Sequence, residues 1–341
     1  MTMSTLELPC FISPYMKKVL NALEKDFFSG EDRGWFNALK QQLIPSEKET
    51  QIATFELQDP LGSCNYQVTP RAVHQYKNRL LILTTAKCFS YCRHCFRRDY
   101  TARCQEWISV SEQIEICNYL KQHPQIQEVL FSGGDPLTVC DKQIEEFILR
   151  LRESSPKLLI RICTRANVFA PERITENLVA MFRRQRPLWV IPHINHPVEI
   201  SSKYSLEARQ SLLRIVDSGI PVQSQTVLLK GINDTVDLLA ELFYQLTVMG
   251  IKPGYLFQTD LAAGTSHFRV PLEQGLKIYK SLCKELSGLS TPVYALDLPG
   301  GGGKINLLQV NSDANDFKVT KISNKYVFTK NDGKIWEYPD D

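Results

Sequence analysis

The sequence has no apolar run long enough to cross a membrane and little excess of charge of either sign. No stretch approaches the roughly 18 apolar residues that a bilayer requires, and the amino terminus lacks a basic region followed by an apolar core. A total of 40 Lys and Arg against 37 Asp and Glu gives a net charge of +3, too small to indicate nucleic-acid binding. We therefore expect a cytoplasmic protein with a small-molecule substrate and with neither a membrane nor a nucleic acid as partner.

The chain also lacks low-complexity tracts, and its 341 residues allow one large α/β barrel or two ordinary domains. Residues 1–70 have helical spacing of apolar residues and predict a helical extension. Residues 71–304 alternate short apolar runs with amphipathic stretches, which favours an open partial barrel of parallel strands over a doubly wound sheet. Residues 305–341 predict a small antiparallel β appendage. The predicted parallel strands are 80–85, 128–132, 159–164, 188–193, 222–228 and 255–258.

Three cysteines, Cys88, Cys92 and Cys95, have three and then two residues between them. They follow the first predicted strand and so lie in a loop at its carboxyl end, where barrels place their chemistry. Structural zinc sites and electron-transfer clusters take four protein ligands, and the sequence has no second Cys-x-x-Cys pair to complete such a set. The spacing therefore favours an iron-sulfur cluster with one open position, while zinc or ordinary structural cysteines are the alternatives.

Four consecutive glycines precede Lys304. Ordering them is costly, so a tight turn or a close approach of the backbone to a ligand is expected. A phosphate-binding loop requires Ser or Thr after the lysine and then a helix, whereas Ile305 follows here and the continuation is not helix-like. A flexible linker is one alternative. The other is a desolvated lysine that forms a Schiff base with pyridoxal phosphate (PLP).

Together these features resemble the lysine 2,3-aminomutase family of radical S-adenosylmethionine (SAM) enzymes. The resemblance implies a radical SAM (β/α)6 partial TIM barrel and an isomerase that converts L-lysine to β-lysine with a [4Fe-4S] cluster, SAM and PLP. It runs from about residue 59 to residue 308. Its motifs are Cys-Arg-His-Cys (92–95), Phe-Ser-Gly-Gly-Asp-Pro-Leu (131–137), Thr-Arg (164–165), His-Ile-Asn-His-Pro (193–197), Val-Leu-Leu-Lys-Gly-Ile-Asn-Asp (227–234), His-Phe-Arg (267–269) and Asp-Leu-Pro-Gly-Gly-Gly-Gly-Lys (297–304).

The resemblance also assigns roles to individual residues. The three cysteines would hold the cluster, with SAM on the fourth iron, and Lys304 would hold PLP. Gln75 stands where the family has a further arginine, and Arg98 is expected to be solvated. The remaining assignments are Arg79 and Gln225 to PLP, Gly133, Gly134 and Asp135 to SAM, Arg97 to the substrate α-carboxylate, and Asp260 and Asp297 to its ε-ammonium. An ordinary turn is the alternative for Gly-Gly-Asp, and a helix cap or surface charge is the alternative for either later aspartate.

Other features of the sequence compare this chain with particular members of the family that it resembles. Larger members carry a zinc-binding cysteine after Asn-Asp, where this chain has Thr235, so zinc is not predicted. His193 and His196 are expected to be ordinary hydrogen-bonding groups. The chain resembles bacterial enzymes that make (R)-β-lysine for translation elongation factor P, which implies a link to that factor and its ligase and an external electron donor. The alternatives are a stand-alone (S)-β-lysine producer, an arginine aminomutase, and a non-enzymatic iron-sulfur or zinc protein.

Overall fold

Two helices and two short strands precede the barrel. The computed structural model describes residues 7–30, 34–103, 106–310 and 316–340. Helix α1 (Pro14–Ser29) begins after Ser13, whose hydroxyl accepts a hydrogen bond from the Met16 N–H, and α2 (Trp35–Leu43) packs beside it. Strands β1 (Gln67–Thr69) and β2 (Ala72–Tyr76) form an antiparallel pair. This pair forms the outer edge of a six-stranded sheet whose other four strands belong to the barrel.

Seven parallel strands follow in chain order, and one antiparallel strand closes the second sheet. Isolated bridges from Val190 to Val222 and from His193 to Gln225 connect the fourth of these parallel strands to the fifth, so the sheet that contains the first four and the sheet that contains the rest form one continuous series. The strands are β3 (Arg79–Thr85), β4 (Glu128–Gly133), β5 (Leu159–Thr164), β6 (Leu188–Pro192), β7 (Gln223–Val227), β8 (Lys252–Phe257), β9 (Val293–Leu298) and the antiparallel β10 (Gly303–Asn306).

Helices connect these strands, as parallel neighbours require. In α5, for example, four fully buried residues, Ile144, Phe147, Ile148 and Leu151, recur at the spacing of one helix face. The helices in chain order are α3 (Arg98–Thr101), α4 (Val110–Gln122), α5 (Asp141–Ser154), α6 (Ala166–Phe169), α7 (Glu176–Arg184), α8 (Leu206–Asp217), α9 (Val236–Val248) and α10 (Leu272–Glu285).

The chain continues into a three-stranded antiparallel sheet of β11 (Phe317–Ile322), β12 (Lys325–Lys330) and β13 (Ile335–Pro339). Phe328 and Tyr338 are fully buried and fix this sheet against the rest of the protein. The predicted α/β class and carboxyl-terminal β appendage are thus confirmed. No helix among the described residues is long and apolar enough to span a bilayer.

All six predicted parallel strands are present, and β9 is a seventh that the pattern did not reveal. Its residues, Val-Tyr-Ala-Leu-Asp-Leu, are apolar enough for a buried strand, but they run directly into the glycines, and that pattern indicates a turn. Because β9 pairs with β8 and β10, it brings Asp297 and Lys304 into the barrel wall.

Candidate active site

The residues assigned by resemblance all line one cavity of about 350 Å³ inside the barrel. They come from positions as far apart in the chain as Arg79 and Lys304, so only the fold brings them together. Two regions of the lining lie far apart in the chain. The cysteine wall is the loop of residues 86–98 that follows β3, and the lysine wall consists of β8, β9, β10 and the turns that leave them.

Burial dominates the electrostatics of the cysteine wall. It raises the pKa of Cys95 to about 11 and the pKa of Cys88 well above the usual thiol range, with Cys95 and Asp135 adding to the shift at Cys88. The Arg165 guanidinium donates a hydrogen bond to the Cys92 sulfur at 2.9 Å. Buried thiolates require a compensating positive charge. Arg165 supplies part of it, and an iron cluster would supply the remainder.

The glycines after β4 pack against the cysteine wall. The Gly134 N–H donates to the Thr85 carbonyl at 2.6 Å, and the Asp135 N–H donates to the Lys87 carbonyl at 2.7 Å. A Cβ at position 134 would lie 2.1 Å from the Lys87 oxygen, so only glycine fits there. The glycine is thus needed for contact between two backbone segments. A contact of Gly133, Gly134 and Asp135 with SAM remains a prediction.

The Asp135 carboxylate is held by donors from three positions. It accepts hydrogen bonds from the Thr164 hydroxyl at 2.8 Å, the Arg165 N–H at 2.8 Å and the Leu137 N–H at 3.0 Å. Through this carboxylate, the turn after β4 is connected to the turn after β5. The same connection sets the position of Arg165 beside Cys92.

A buried ion pair behind Cys92 was not visible in the sequence. Glu199, fully buried, accepts from the Arg165 guanidinium at 2.8 Å and from the Asn195 N–H at 2.8 Å. The His193 ring lies 2.8 Å from the Asn195 side-chain oxygen, and burial together with the Arg165 charge lowers the pKa of His193 to about 3. The Thr-Arg motif marked Arg165, but no local pattern identified Glu199.

The expectation that the Arg98 side chain is solvated was wrong. Its guanidinium is 2.6 Å from a carboxylate oxygen of Glu49 and donates to the Gly264 carbonyl at 3.1 Å. The same carboxylate also pairs with Arg93, at 2.6 Å, and the Glu49 and Arg93 side chains are only 8% and 2% exposed. Burial opposes ionisation of Glu49, but these two arginines hold its pKa below the usual range. The segment before the barrel therefore supports the cysteine wall.

Arg97 differs from both of these arginines. Its Nε is buried and makes no hydrogen bond within the described residues, although the guanidinium lies 4.8 Å from the centre of the Phe96 ring. Burial lowers its pKa, whereas the charges of Cys95, Asp59 and Asp260 act in the opposite direction. An unpaired guanidinium in a cavity fits an anionic ligand group, and a carboxylate matches its planar donor set.

Lys304 is positioned by the pairing of β9 with β10. It lies opposite Asp297 in the register, and its Nζ is 3.7 Å from the Asp297 carboxylate and 4.0 Å from the centre of the Phe257 ring. Burial lowers the pKa of Lys304 and outweighs the charges of Asp297 and Asp260, which raise it, while the Arg79 and Arg161 charges lower it further. A depressed pKa increases the share of neutral amine, the form that attacks a carbonyl.

Asp260 follows β8 at the edge of the same wall. Burial raises the pKa of its carboxyl well above the usual range, and the neighbouring charge of Asp297 raises it further. The charges of Lys304 and Arg97 oppose this shift without cancelling it, so a cationic ligand group would favour the ionised form of Asp260.

The glycine run forms a fixed turn between β9 and β10. Gly300, Gly301 and Gly303 have φ of 64°, 96° and 89°, in the left-handed region that favours glycine. The Tyr66 hydroxyl donates to the Gly301 carbonyl at 2.8 Å. A Cβ at Gly62 would lie 2.4 Å from the Gly300 carbonyl carbon. These contacts, and the strand that follows, distinguish the run from both a flexible linker and a phosphate-binding loop.

The floor of the cavity carries guanidinium groups. Arg79 stacks on the Tyr76 ring at 4.0 Å, and Arg161, which the sequence did not single out, pairs with the Glu128 carboxylate at 2.6 Å. The buried Nε of Arg161 has no hydrogen bond in the described part of the protein. Gln75 instead donates to the Gly301 carbonyl at 3.3 Å. Two cationic side chains near Lys304 fit the phosphate of PLP, and Gln225 lines the same cavity.

The metal-binding capacity of the site depends on the cysteines. Across residues 7–30, 34–103, 106–310 and 316–340, no three His, Cys, Asp or Glu side chains lie close enough to hold a single metal ion. A [4Fe-4S] cluster takes one thiolate per iron, and Cys88, Cys92 and Cys95 face the same cavity. The donor set therefore fits such a cluster with one iron left open.

Comparison with known proteins matches the Radical SAM superfamily model to residues 82–243. A putative L-lysine 2,3-aminomutase of Treponema pallidum is 47% identical over 304 residues, which cover 89% of this chain and 84% of that protein. The L-lysine 2,3-aminomutase of Clostridium subterminale is 34% identical and the glutamate 2,3-aminomutase of Clostridioides difficile is 31% identical. These alignments cover 88% and 89% of this chain and 70% and 69% of those proteins. The superfamily match includes the cysteine wall but ends before the lysine wall.

Proposed function

The chain belongs to the lysine 2,3-aminomutase family of radical SAM isomerases, and from this membership we propose that it converts L-lysine to β-lysine. Matched relatives act on lysine or on glutamate, as their names state, so membership alone does not fix the substrate. The choice between a cationic and an anionic substrate depends on the side chains of the lysine wall.

The observation that carries the choice is the pair of carboxylates, Asp260 and Asp297, in one partly enclosed cavity. An ammonium group that leaves water needs charged partners, and a second carboxylate would be repelled there. Burial and the Asp297 charge raise the pKa of Asp260 despite the charges of Lys304 and Arg97, so a bound cation would stabilise its ionised form. The pair therefore favours lysine over glutamate.

Three of the chain's own charged groups would hold the substrate at both ends. Arg97, with its unpaired Nε, would bind the α-carboxylate, while Asp260 and Asp297 would bind the ε-ammonium. Fixing two ends of a flexible chain restricts its central carbons to one region of the cavity and lowers the entropic cost of reaction. The enclosed walls would also keep water from a reactive intermediate.

The residues also fit the cofactors that the family uses. The three cysteines of the cysteine wall would hold the cluster and leave one iron for SAM, and Lys304 with Arg79 and Gln225 would hold PLP. When bound, the cluster and SAM supply abstraction of an unactivated hydrogen, and PLP carries the migrating amino group. Lys304 contributes an amine whose proton affinity is lowered by its surroundings.

We further propose that the product is (R)-β-lysine for modification of elongation factor P by its ligase, and that an external donor supplies the electron. In support, Thr235 caps helix α9, accepting from the Leu238 N–H at 3.4 Å, where larger members have a zinc-binding cysteine. The ten cysteines and the thiolate-ligated cluster fit a reducing compartment, so we place the enzyme in the cytoplasm.

The test is an anaerobic assay of the reconstituted enzyme with SAM, PLP and a reductant on L-lysine, L-arginine and L-glutamate separately. We expect β-lysine, with chiral chromatography showing the (R) form, and no β-glutamate. A β-amino acid from arginine alone would reassign the substrate. The absence of any β-amino acid from a preparation with cluster and PLP spectra would overturn the proposal.

A further inference from the structure

We propose that the carboxyl-terminal sheet supports the substrate pocket from outside the cavity, with Tyr338 on β13 as a positioning residue for Asp260. This inference rests on the proposed function, because it assigns to Asp260 the recognition of the substrate ammonium. It extends that function to a part of the chain that does not line the cavity and that the sequence indicated only as an appendage.

The contact from the sheet is made at the peptide that carries Asp260. The Tyr338 hydroxyl donates a hydrogen bond to the Thr259 carbonyl at 2.6 Å, and this carbonyl belongs to the peptide bond between Thr259 and Asp260. Tyr338 is fully buried, and Thr259 is 3% exposed. A hydrogen bond shielded from water in this way resists local opening more than an exposed one.

A second layer fixes the Tyr338 hydroxyl. The Gln258 side-chain amide donates to it at 3.0 Å and to the Val270 carbonyl at 2.7 Å, while the Gln258 oxygen accepts from the Tyr294 hydroxyl at 2.5 Å. Tyr338 thus both donates and accepts, and both of its partners, Gln258 and Thr259, follow β8, while Tyr294 on β9 holds Gln258 in place. Movement of Tyr338 would disturb the whole turn after β8.

Asp260 depends on its backbone for its position. Within the described residues no side chain or N–H donates a hydrogen bond to its carboxylate, in contrast to Asp135. Its placement is therefore set by the Thr259-Asp260 peptide and by packing. Besides the Tyr338 contact, the Thr259 hydroxyl holds this segment by donating to the Leu228 carbonyl at 2.9 Å.

The same strand also contacts the turn that carries Lys304. A Cβ at Gly302 would lie 2.6 Å from Nε1 of Trp336, so the indole packs directly on the glycine run two residues before the lysine. Through Tyr338 and Trp336, β13 contacts both the turn after β8 and the glycine turn before Lys304.

The test compares Tyr338→Phe with Tyr326→Phe, a matched change on β12 of the same sheet. We expect KM for L-lysine to rise about five- to tenfold in Y338F, with kcat within about twofold, because one buried hydrogen bond that orients a binding group is lost. Y326F should keep the wild-type KM. A purely structural role would lower the thermal midpoint and leave KM unchanged, and that result in Y338F would overturn the inference.

Hydrogen exchange of the amides at residues 258–262 provides a second measurement that needs no turnover. Faster exchange in Y338F than in Y326F is expected, and equal exchange would overturn the inference. An inactive wild type would refute the proposed function, whereas an active wild type with an unchanged Y338F would refute only the positioning role.

Discussion

The cysteine wall and the lysine wall are stabilised in different ways. Behind the cysteine wall, Arg93 and Arg98 share Glu49, and Arg165 pairs with Glu199, so the buried charges already have protein partners. On the lysine wall, Asp260 has a raised pKa, and the Lys304 ammonium is 3.7 Å from Asp297. The comparison indicates that the first wall is complete as protein, apart from its thiols and Arg97, and that ligands complete the second.

Cys92→Ala should have the largest effect, because it removes one of three cluster ligands and leaves the Arg165 charge without a sulfur partner. We expect no cluster absorption after reconstitution with iron and sulfide, and no activity. Cys283→Ala on α10 serves as the control and should reconstitute normally. A full cluster spectrum in C92A would contradict the ligand assignment.

Lys304→Ala should abolish activity but spare the cysteine wall. The cluster spectrum is expected to match that of the wild type, while the absorption band of lysine-bound PLP disappears. Lys330→Ala, on β12, controls for loss of a lysine elsewhere. Persistence of the PLP band in K304A would remove Lys304 from its proposed role.

Glu49→Gln tests whether the cysteine wall relies on paired charges. Two arginines, of which Arg93 is 2% exposed, would lose their carboxylate, and such a loss costs about 3 kcal/mol in the free energy of unfolding. Denaturant unfolding of the apoprotein measures this change in the free energy of unfolding. Glu207→Gln, at an exposed pair with Lys18, should change stability by less than about 1 kcal/mol. Equal losses in both variants would show that the pairing of Glu49 is unimportant.

Asp260→Asn tests the lysine wall through substrate choice rather than stability. Removal of one of two carboxylates should lower kcat/KM for L-lysine about 30- to 100-fold, because a desolvated ammonium loses a charged partner. Asp237→Asn, on the surface helix α9, is the control. An unchanged kcat/KM in D260N would place substrate recognition elsewhere.

The smallest effect is a difference between Glu49 and Asp260 in how their contributions to stability depend on pH. Glu49 has a lowered pKa, so its stabilisation is present above the unfolded-state value near 4.5 and is lost as pH falls through the folded-state value. Asp260 has a raised pKa, so its ionisation costs stability as pH rises above about 3.8. Relative to wild type, the loss of stability in E49Q should become smaller as the pH falls, and D260N should become more stable as the pH rises towards neutral. Parallel pH curves for the two variants would contradict the contrast between the walls.

The sequence predicted the parts of this molecule whose signals are local. The spacing of Cys88, Cys92 and Cys95 and the glycines before Lys304 are local patterns, and six apolar runs indicated the strands. Partners distant in the chain left no such signal: Glu49 meets Arg93 only through tertiary packing, and Tyr338 reaches Thr259 from 79 positions away. The strand β9 was missed because its boundary coincides with the glycine turn. Charge pairing also overrode the expectation that Arg98 would be exposed.

The most direct measurement of the proposed reaction follows the nitrogen itself. Reconstituted enzyme is incubated with L-lysine labelled with ¹⁵N at the α-amino group, and the product is examined by ¹³C and ¹⁵N NMR. A 1,2-amino shift predicts β-lysine with the label bonded to the third carbon and the ε-nitrogen unlabelled. Label that stays on the second carbon, or that appears as free ammonia, in a preparation showing both cluster and PLP spectra would contradict the account.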